Sequence, residues 1–440
     1  MSDEKYDKSS AESILEYAIR LTGKSLFEAL GFSPEAAKAK NKGGFGTQVE
    51  KYYFGIPTNN SMEPDFSQAG VELKVTGLVR NGRKSFKPKE RLILKMIDYM
   101  SIIDESWETS ALLKKCRLML IVFYLYDKDA KSILDYRFVK QPILFNFPQY
   151  DAIQIQQDWE FIQRKIMEGR AHELSEGDTM YLGACRKGSG GTKEKKRAQP
   201  FSEIRANGRA YSLKPQYVQK IIDGTITESV IEESQEVGIA EATLRRFKPY
   251  EGIPVEELMK KFNVGRSKNY LKVVAMRILG TQKKSIPELD RAGVVIKTVC
   301  VNSKWRPKES MSFKSFRFKE VVNQKWEDSD FCATVETKFL LVVFRFDETK
   351  TLRLEFATYW NMPYEDREEA RRVWEVTQKR IKSDPKRLPK ISESRVAHVR
   401  PHGRNAKDID ITPGGVKLTK QCFWLNAGYI ASVIEGIRTS

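Results

Sequence analysis

The chain repeats itself, and that constrains its fold more than any other feature. GVELKVTG near residue 74 is echoed by GVVIKTVC near 297, and SWETS near 107 by KWEDS near 326. DWEFIQRKI near 159 is echoed by VWEVTQKRI near 374, and AYSLKPQYVQKII near 213 by FWLNAGYIASVI near 425. The four echoes keep their order at offsets of about 212 to 223 residues, which marks an internal duplication. At 440 residues the chain exceeds one ordinary core, so the repeat divides it into two domains. Residues 1–225 read as the first, the polar, acidic stretch 226–250 as a linker, and 251–440 as the second.

The class expected for both is α/β, a mixed sheet flanked by helices with a cleft for duplex DNA. VELKV at 71–75 and the apolar run LMLIVFYLY at 118–126 read as strands, the second buried on both faces. Residues 11–31, 47–54, 154–169 and 214–223 read as helices. The glycine-rich, basic stretch 186–200 reads as a mobile loop of the kind that orders on a phosphate backbone.

Charge narrows the partner. Lys and Arg outnumber Asp and Glu by 76 to 58, a formal +18, which favours a polyanion through release of condensed counterions. No run approaches the ~20 apolar residues of a membrane span, and MSDEKYDKSS has no apolar signal core, so the expected setting is the cytoplasm. Five scattered cysteines without a CxxC argue against a zinc ribbon, and three histidines argue against a histidine-based nuclease. Hydrolytic chemistry in this chain must rest on carboxylates, lysines and a metal.

Strand alternation in GVELKV sends Val71, Leu73 and Val75 to one face and Glu72 and Lys74 to the other. Asp65, seven residues before Glu72 and after a turn-forming stretch, can reach the same strand end. Two carboxylates at one point form a hard-oxygen site suited to Mg²⁺, with a lysine beside it to orient water or neutralise developing charge. Glu-x-Lys alone is a weak pattern in so charged a chain, and taken by itself it is better accounted for by a solvated strand face.

The segment from Lys42 to Gly77, with the WETS segment, the DWE helix and the LK pair near 213, resembles the MutH mismatch-repair nicking endonuclease and the related type II restriction enzymes that cut GATC. These belong to the PD-(D/E)xK superfamily. The resemblance implies that Asp65 and Glu72 are metal ligands and Lys74 the catalytic lysine. It implies a helix-borne acid at Glu50, a further active-site lysine at Lys115, and DNA contacts at Lys42 and Lys214. Arg186 and Lys187, at the start of the basic loop, are further candidates for DNA contact.

The second copy departs from that pattern. Val295 stands for Glu72, Ala275 for Glu50, and Thr334 or Val335 for Lys115, while Lys297 survives and Asp290 or Glu288 falls near the place of Asp65. One carboxylate is a poor Mg²⁺ site, so this copy is expected to be catalytically dead. HVRPHGRNAK at 398–407 remains strongly basic, and Arg400 or Arg404 can bond guanine in the major groove. The leading expectation is a type II restriction endonuclease acting on double-stranded DNA, with a homodimer as one route to cutting both strands. A methyl-directed nicking enzyme and a non-catalytic DNA-binding protein are the alternatives.

Overall fold

A computed structural model describes residues 5–31, 44–57, 62–82, 85–187, 196–227, 229–283, 285–405 and 407–439. The first half runs through β1 (Val71–Arg80), β2 (Phe86–Pro88), β3 (Leu92–Met96), β4 (Leu118–Leu125), β5 (Arg137–Phe138), β6 (Ile143–Phe145), β7 (Leu182–Arg186), β8 (Arg197–Gln199), β9 (Ser202–Ala206) and β10 (Arg209–Leu213). β1 lies parallel to β4 and antiparallel to β2, and β4 pairs with β5 and β6. β3, β10 and β7 form an antiparallel sheet, and β8 and β9 a separate hairpin.

The second half repeats this plan through β11 (Val295–Val301), β12 (Met311–Phe316), β13 (Phe339–Phe346), β14 (Leu352–Trp360), β15 (Ala397–Pro401), β16 (Ile409–Ile411), β17 (Lys417–Thr419) and β18 (Gln421–Leu425). β11 is parallel to β13, β12, β18 and β15 make the antiparallel sheet, and β16 and β17 the hairpin. The duplication is therefore present in the backbone, and both halves are restriction-endonuclease-like mixed sheets flanked by helices.

The echoed words meet inside each half. Trp107 packs on Trp159 at 5.9 Å between ring centroids, and Trp326 packs on Trp374 at 5.6 Å. Asp158, in the helix Gln149–Met167, accepts hydrogen bonds from the backbone N–H groups of Met180, Tyr181 and Leu182 at 2.8, 2.6 and 2.9 Å. The DWE word thus fixes the start of β7. β4 is buried from Met119 to Tyr124, as expected for a strand covered on both faces.

Two stretches carry more structure than the sequence reading gave them. The first helical stretch divides into Ala11–Ile19 and Leu26–Leu30, with Gly23 between them at φ 83°. The 226–250 stretch, expected to link the halves, holds the helices Ser234–Val237 and Ile239–Phe247. Its Ile231, Ile239, Ala242 and Phe247 are at most 1% exposed, in a core that continues from Leu78 in the first half to Leu354 in the second. Polar residues between these apolar positions hid a buried stripe.

The seam between the halves is also polar. Arg291 meets Asp151 at 3.1 Å, both fully buried, and Tyr217 donates to the other oxygen of Asp151 at 2.8 Å. Lys338 donates to the Asp178 carbonyl, and Asn361 to the Asp178 carboxylate. A cavity of about 610 Å³ opens along this seam. All five cysteines are free thiols, and no described helix is long and apolar enough to cross a membrane.

Candidate active site

The face of β1 that carries Glu72 and Lys74 is roofed over. Glu72 is 3% exposed, because β3 and the helix Ala111–Cys116 cover that side of the strand. The Lys74 ammonium donates to Glu72 Oε1 and to the Leu94 carbonyl of β3, both at 2.8 Å. Lys115, from the covering helix, places its ammonium 3.3 Å from Glu72 Oε2 and donates to the Glu63 carbonyl at 3.2 Å. Asp65 closes the ring: its N–H donates to Glu72 Oε2 at 3.1 Å, and its own Oδ2 accepts from the Leu73 N–H at 3.0 Å. The seven-residue step from Asp65 to Glu72 is bridged in both directions.

Glu50 arrives on an unusual turn. The helix Phe45–Gln48 widens into a π-turn over Val49–Tyr53, where the Phe54 N–H reaches back to the Val49 carbonyl. Such turns displace one residue from the regular helical face and are common at functional sites. Aromatic packing holds this one: Tyr6, Tyr17 and Tyr53 stack in succession at 4.3 and 4.6 Å. Phe54 meets Phe66 edge-on at 5.7 Å, so the turn bearing Glu50 and the turn bearing Asp65 share one rigid cluster.

The five groups form one electrostatic neighbourhood. Burial, and then the charge of Asp65, push the Glu50 carboxyl above its ordinary range, with Lys74, Glu72 and Lys115 also acting on it. Burial likewise raises Glu72, opposed by Lys74. Burial works against the Lys74 charge, but the carboxylates of Glu72 and Asp65 outweigh it and push its pKa up.

Among the described residues no three acidic, histidine or cysteine side chains form a ready cage for a metal ion. That donor set still fits a hard divalent cation of the Mg²⁺ type, which keeps several waters and takes one or two carboxylates together with substrate phosphate oxygens. Asp65 and Glu72 would supply them. A cation held there would offset the cost of burying negative charge at Glu72.

The expected DNA contacts fare differently. Lys42 lies outside the described residues, as does most of the basic loop. Lys187 is exposed just past β7. Arg186 is held 3.3 Å from Glu327 of the second half, an ion pair across the seam. Arg404 is exposed beside Asp408, and the Arg400 guanidinium lies over the Trp424 ring at 4.6 Å.

Lys214 is 7% exposed and donates to the carbonyls of Thr179 at 2.6 Å and Ala292 at 3.2 Å, so it ties the halves together at the seam cavity. Burial drives its pKa down to about 7. Two participants escaped sequence reasoning, the backbone carbonyls of Leu94 and Glu63, because a carbonyl's direction leaves no mark in residue identity.

In the second half Lys297 donates to the Ser312 carbonyl of β12 at 3.3 Å, as Lys74 does to Leu94 of β3. Around it the acids are gone: Val295 is 41% exposed and Ala275 fully buried. Glu288, buried as well, has one carboxylate oxygen consumed by Ser229, Val230 and Ile231. The lysine's framework survives without its carboxylates.

Comparison with known proteins agrees with this geometry. The family model described as DNA mismatch repair enzyme MutH matches twice, at residues 54–158 and 279–372, once in each half. The type II restriction enzyme Sau3AI of Staphylococcus aureus is 32% identical, over 94% of this chain and 96% of its own. The DNA mismatch repair protein MutH of Shewanella woodyi is 27% identical over 46% of this chain and 85% of its own. That of Vibrio parahaemolyticus is 24% identical over 40% of this chain and 78% of its own. Repeated sheets, an intact Asp65, Glu72 and Lys74 set in one half only, and an end-to-end likeness to a restriction enzyme place this chain in the MutH-like family of type II restriction endonucleases.

Proposed function

We propose that this protein is a Mg²⁺-dependent type II restriction endonuclease of the cytoplasm that hydrolyses both strands of double-stranded DNA at a short specific site, GATC by its likeness to the enzymes that cut there. The observation that carries this reading is the meeting of Asp65, Glu72 and Lys74 beneath β3, in a chain that matches a restriction enzyme over nearly its whole length. Residues 1–225 are the catalytic unit, and 251–440 a degenerate copy that holds a further duplex.

Each residue then has a task. Asp65 and Glu72 hold the cation, which when bound polarises the scissile phosphate and lowers the pKa of an attacking water. Lys74, fixed at its other side by Leu94, orients that water or neutralises the charge that develops on the phosphorane oxygens. Lys115 brings a second ammonium to Glu72 Oε2, and Glu50 supplies a carboxylate at the rim. Lys42, Lys187, Arg186, Arg400 and Arg404 are the candidate DNA contacts, Arg186 after release from Glu327.

One catalytic centre cuts two strands either by acting twice or by meeting a second protomer, and a homodimer on DNA is the simpler geometry. The test is digestion of a plasmid with Mg²⁺ and sequencing of the ends. Double-strand breaks at one recurrent sequence support the reading, and intact plasmid overturns it. The second reading, a mismatch-repair nicking enzyme, draws on the MutH relatives. Those relatives align with less than half of this chain, and nicks confined to one strand would favour them.

A further inference from the structure

The β8–β9 hairpin follows the basic loop of the first half and exposes what a soluble surface normally hides. Phe201, at its tip, is 73% exposed, and Ile204 beside it 56%. Phe201 also sits at φ 57°, in the left-handed region where an L side chain is strained and glycine fits freely. A large apolar residue thus stands where both solvent and backbone disfavour it. Strain of this kind persists where the surroundings impose it, and it concentrates at ligand-contacting sites.

The base of the hairpin is pinned. The Gln199 side chain accepts from the Ala171 N–H at 2.7 Å and also bonds His172 and the Ile204 carbonyl. Gly169 passes so close beneath the tip that a Cβ there would lie 2.6 Å from the Phe201 carbonyl oxygen. The Arg205 guanidinium grips the Lys196 carbonyl across the hairpin. The tip is therefore presented rigidly. Lys196, Arg197 and Arg205 are exposed on the hairpin beside Glu203, and on the segment beneath the tip Arg170 pairs with Glu168 and Glu173.

The second half carries the same device at the matching place. After its own basic loop the β16–β17 hairpin exposes Ile409 by 42% and Ile411 by 40%, with Lys417 beside them. Little sequence is shared between the two hairpins, and in the second the isoleucines alternate with Asp408 and Asp410, yet both hairpins expose apolar residues after a basic loop.

We propose that the β8–β9 hairpin is a DNA wedge: Phe201 and Ile204 press into the base stack beside the cleavage site and unstack one step, while Lys196, Arg197 and Arg205 hold the adjoining phosphates. Apolar wedges flanked by basic residues kink duplexes in this way, repaying the unstacking cost through a larger contact surface. A duplex offers a counterpart to both features, its phosphates to the cations and its base stack to Phe201 and Ile204. The inference rests on the nuclease reading.

The test uses full-length protein with Ca²⁺ in place of Mg²⁺, and a site-bearing duplex with 2-aminopurine in the flanking step. Wild-type binding is expected to raise 2-aminopurine fluorescence. Phe201→Gly relieves the strained turn, so its thermal midpoint is expected to equal or exceed that of wild type. Its duplex affinity is expected to fall about ten-fold, with the fluorescence rise lost. Ile204→Ser leaves the turn untouched and is expected to weaken binding in the same direction. Variants that bind and unstack like wild type overturn the wedge while cleavage leaves the nuclease reading standing. If the variants instead change only sedimentation, the tip joins two copies and the wedge is again overturned. Wild type that neither binds nor cuts DNA removes both readings together.

Discussion

The Lys74 ammonium lies 2.8 Å from Glu72 Oε1 and is anchored on its far side by the Leu94 carbonyl, so its position is set by two neighbouring strands, β1 and β3. Lys74→Ala is expected to lower cleavage by at least about 10²-fold, the scale for loss of one preorganised charge-stabilising donor. Duplex affinity should stay near wild type, since a buried ammonium contributes little to counterion release. Lys74→Arg should not restore activity, because a planar guanidinium cannot replace a compact ammonium between a carboxylate and a carbonyl. Single-turnover cleavage with parallel binding measurements checks this. A Lys74→Ala protein that cuts at the wild-type rate would remove this lysine from the chemistry.

Arg291 and Asp151 join the halves through a fully buried ion pair. Removing one partner strands a charge in the core, so Arg291→Met is expected to destabilise the protein by about 3–5 kcal/mol in urea unfolding. The double variant Asp151→Asn with Arg291→Met should recover part of that loss, since no uncompensated charge remains. The same pair bears on truncation. A chain ended near residue 235 loses Arg291 and exposes a core that runs on to Leu354, so it is expected to aggregate.

Much of the candidate site was legible because it depends on a short period. Alternation along β1 places Glu72 and Lys74 together whatever the tertiary context, and a turn of limited length returns Asp65 to them. The burial of Lys214 was not legible, for the opposite reason. Nothing local separates a surface lysine from one that donates to Thr179 and Ala292 from within a seam, since the acceptors lie 35 and 78 residues away. The burial within the 226–250 stretch was hidden similarly: its apolar positions find their partners in both halves, so composition registered only the polar residues between them. The π-turn at Glu50 is likewise set by packing of Tyr17 and Phe54 and left no periodic signal.

Lys214 provides a pH signature. Burial lowers its folded-state pKa to about 7, against about 10.4 for an unfolded lysine. A neutral amine has two hydrogens, and two carbonyls accept them. Between about pH 7 and 10 the unfolded chain therefore binds a proton that the folded chain does not, and this group's contribution to stability rises with pH. Lys214→Met removes that contribution. Relative to this variant, the wild-type thermal midpoint is expected to climb from pH 7 to 9, and a constant difference across that range would show that Lys214 is charged in the seam.

Lys297 supplies the internal control for the active site. It reaches the Ser312 carbonyl as Lys74 reaches that of Leu94, and its ammonium lies over the Phe313 ring at 5.2 Å. Burial, with Lys272 nearby, lowers its pKa, whereas Lys74 keeps its charge beside Glu72. Without a carboxylate at Val295 there is nothing to hold a cation near it. Lys297→Met keeps the apolar stem and is expected to leave single-turnover cleavage of a short single-site duplex within about two-fold of wild type, the range of substitutions remote from the chemistry. A loss comparable to that of Lys74→Ala would mean that the second half takes part in bond breaking, and that two centres, one in each copy, share the cut.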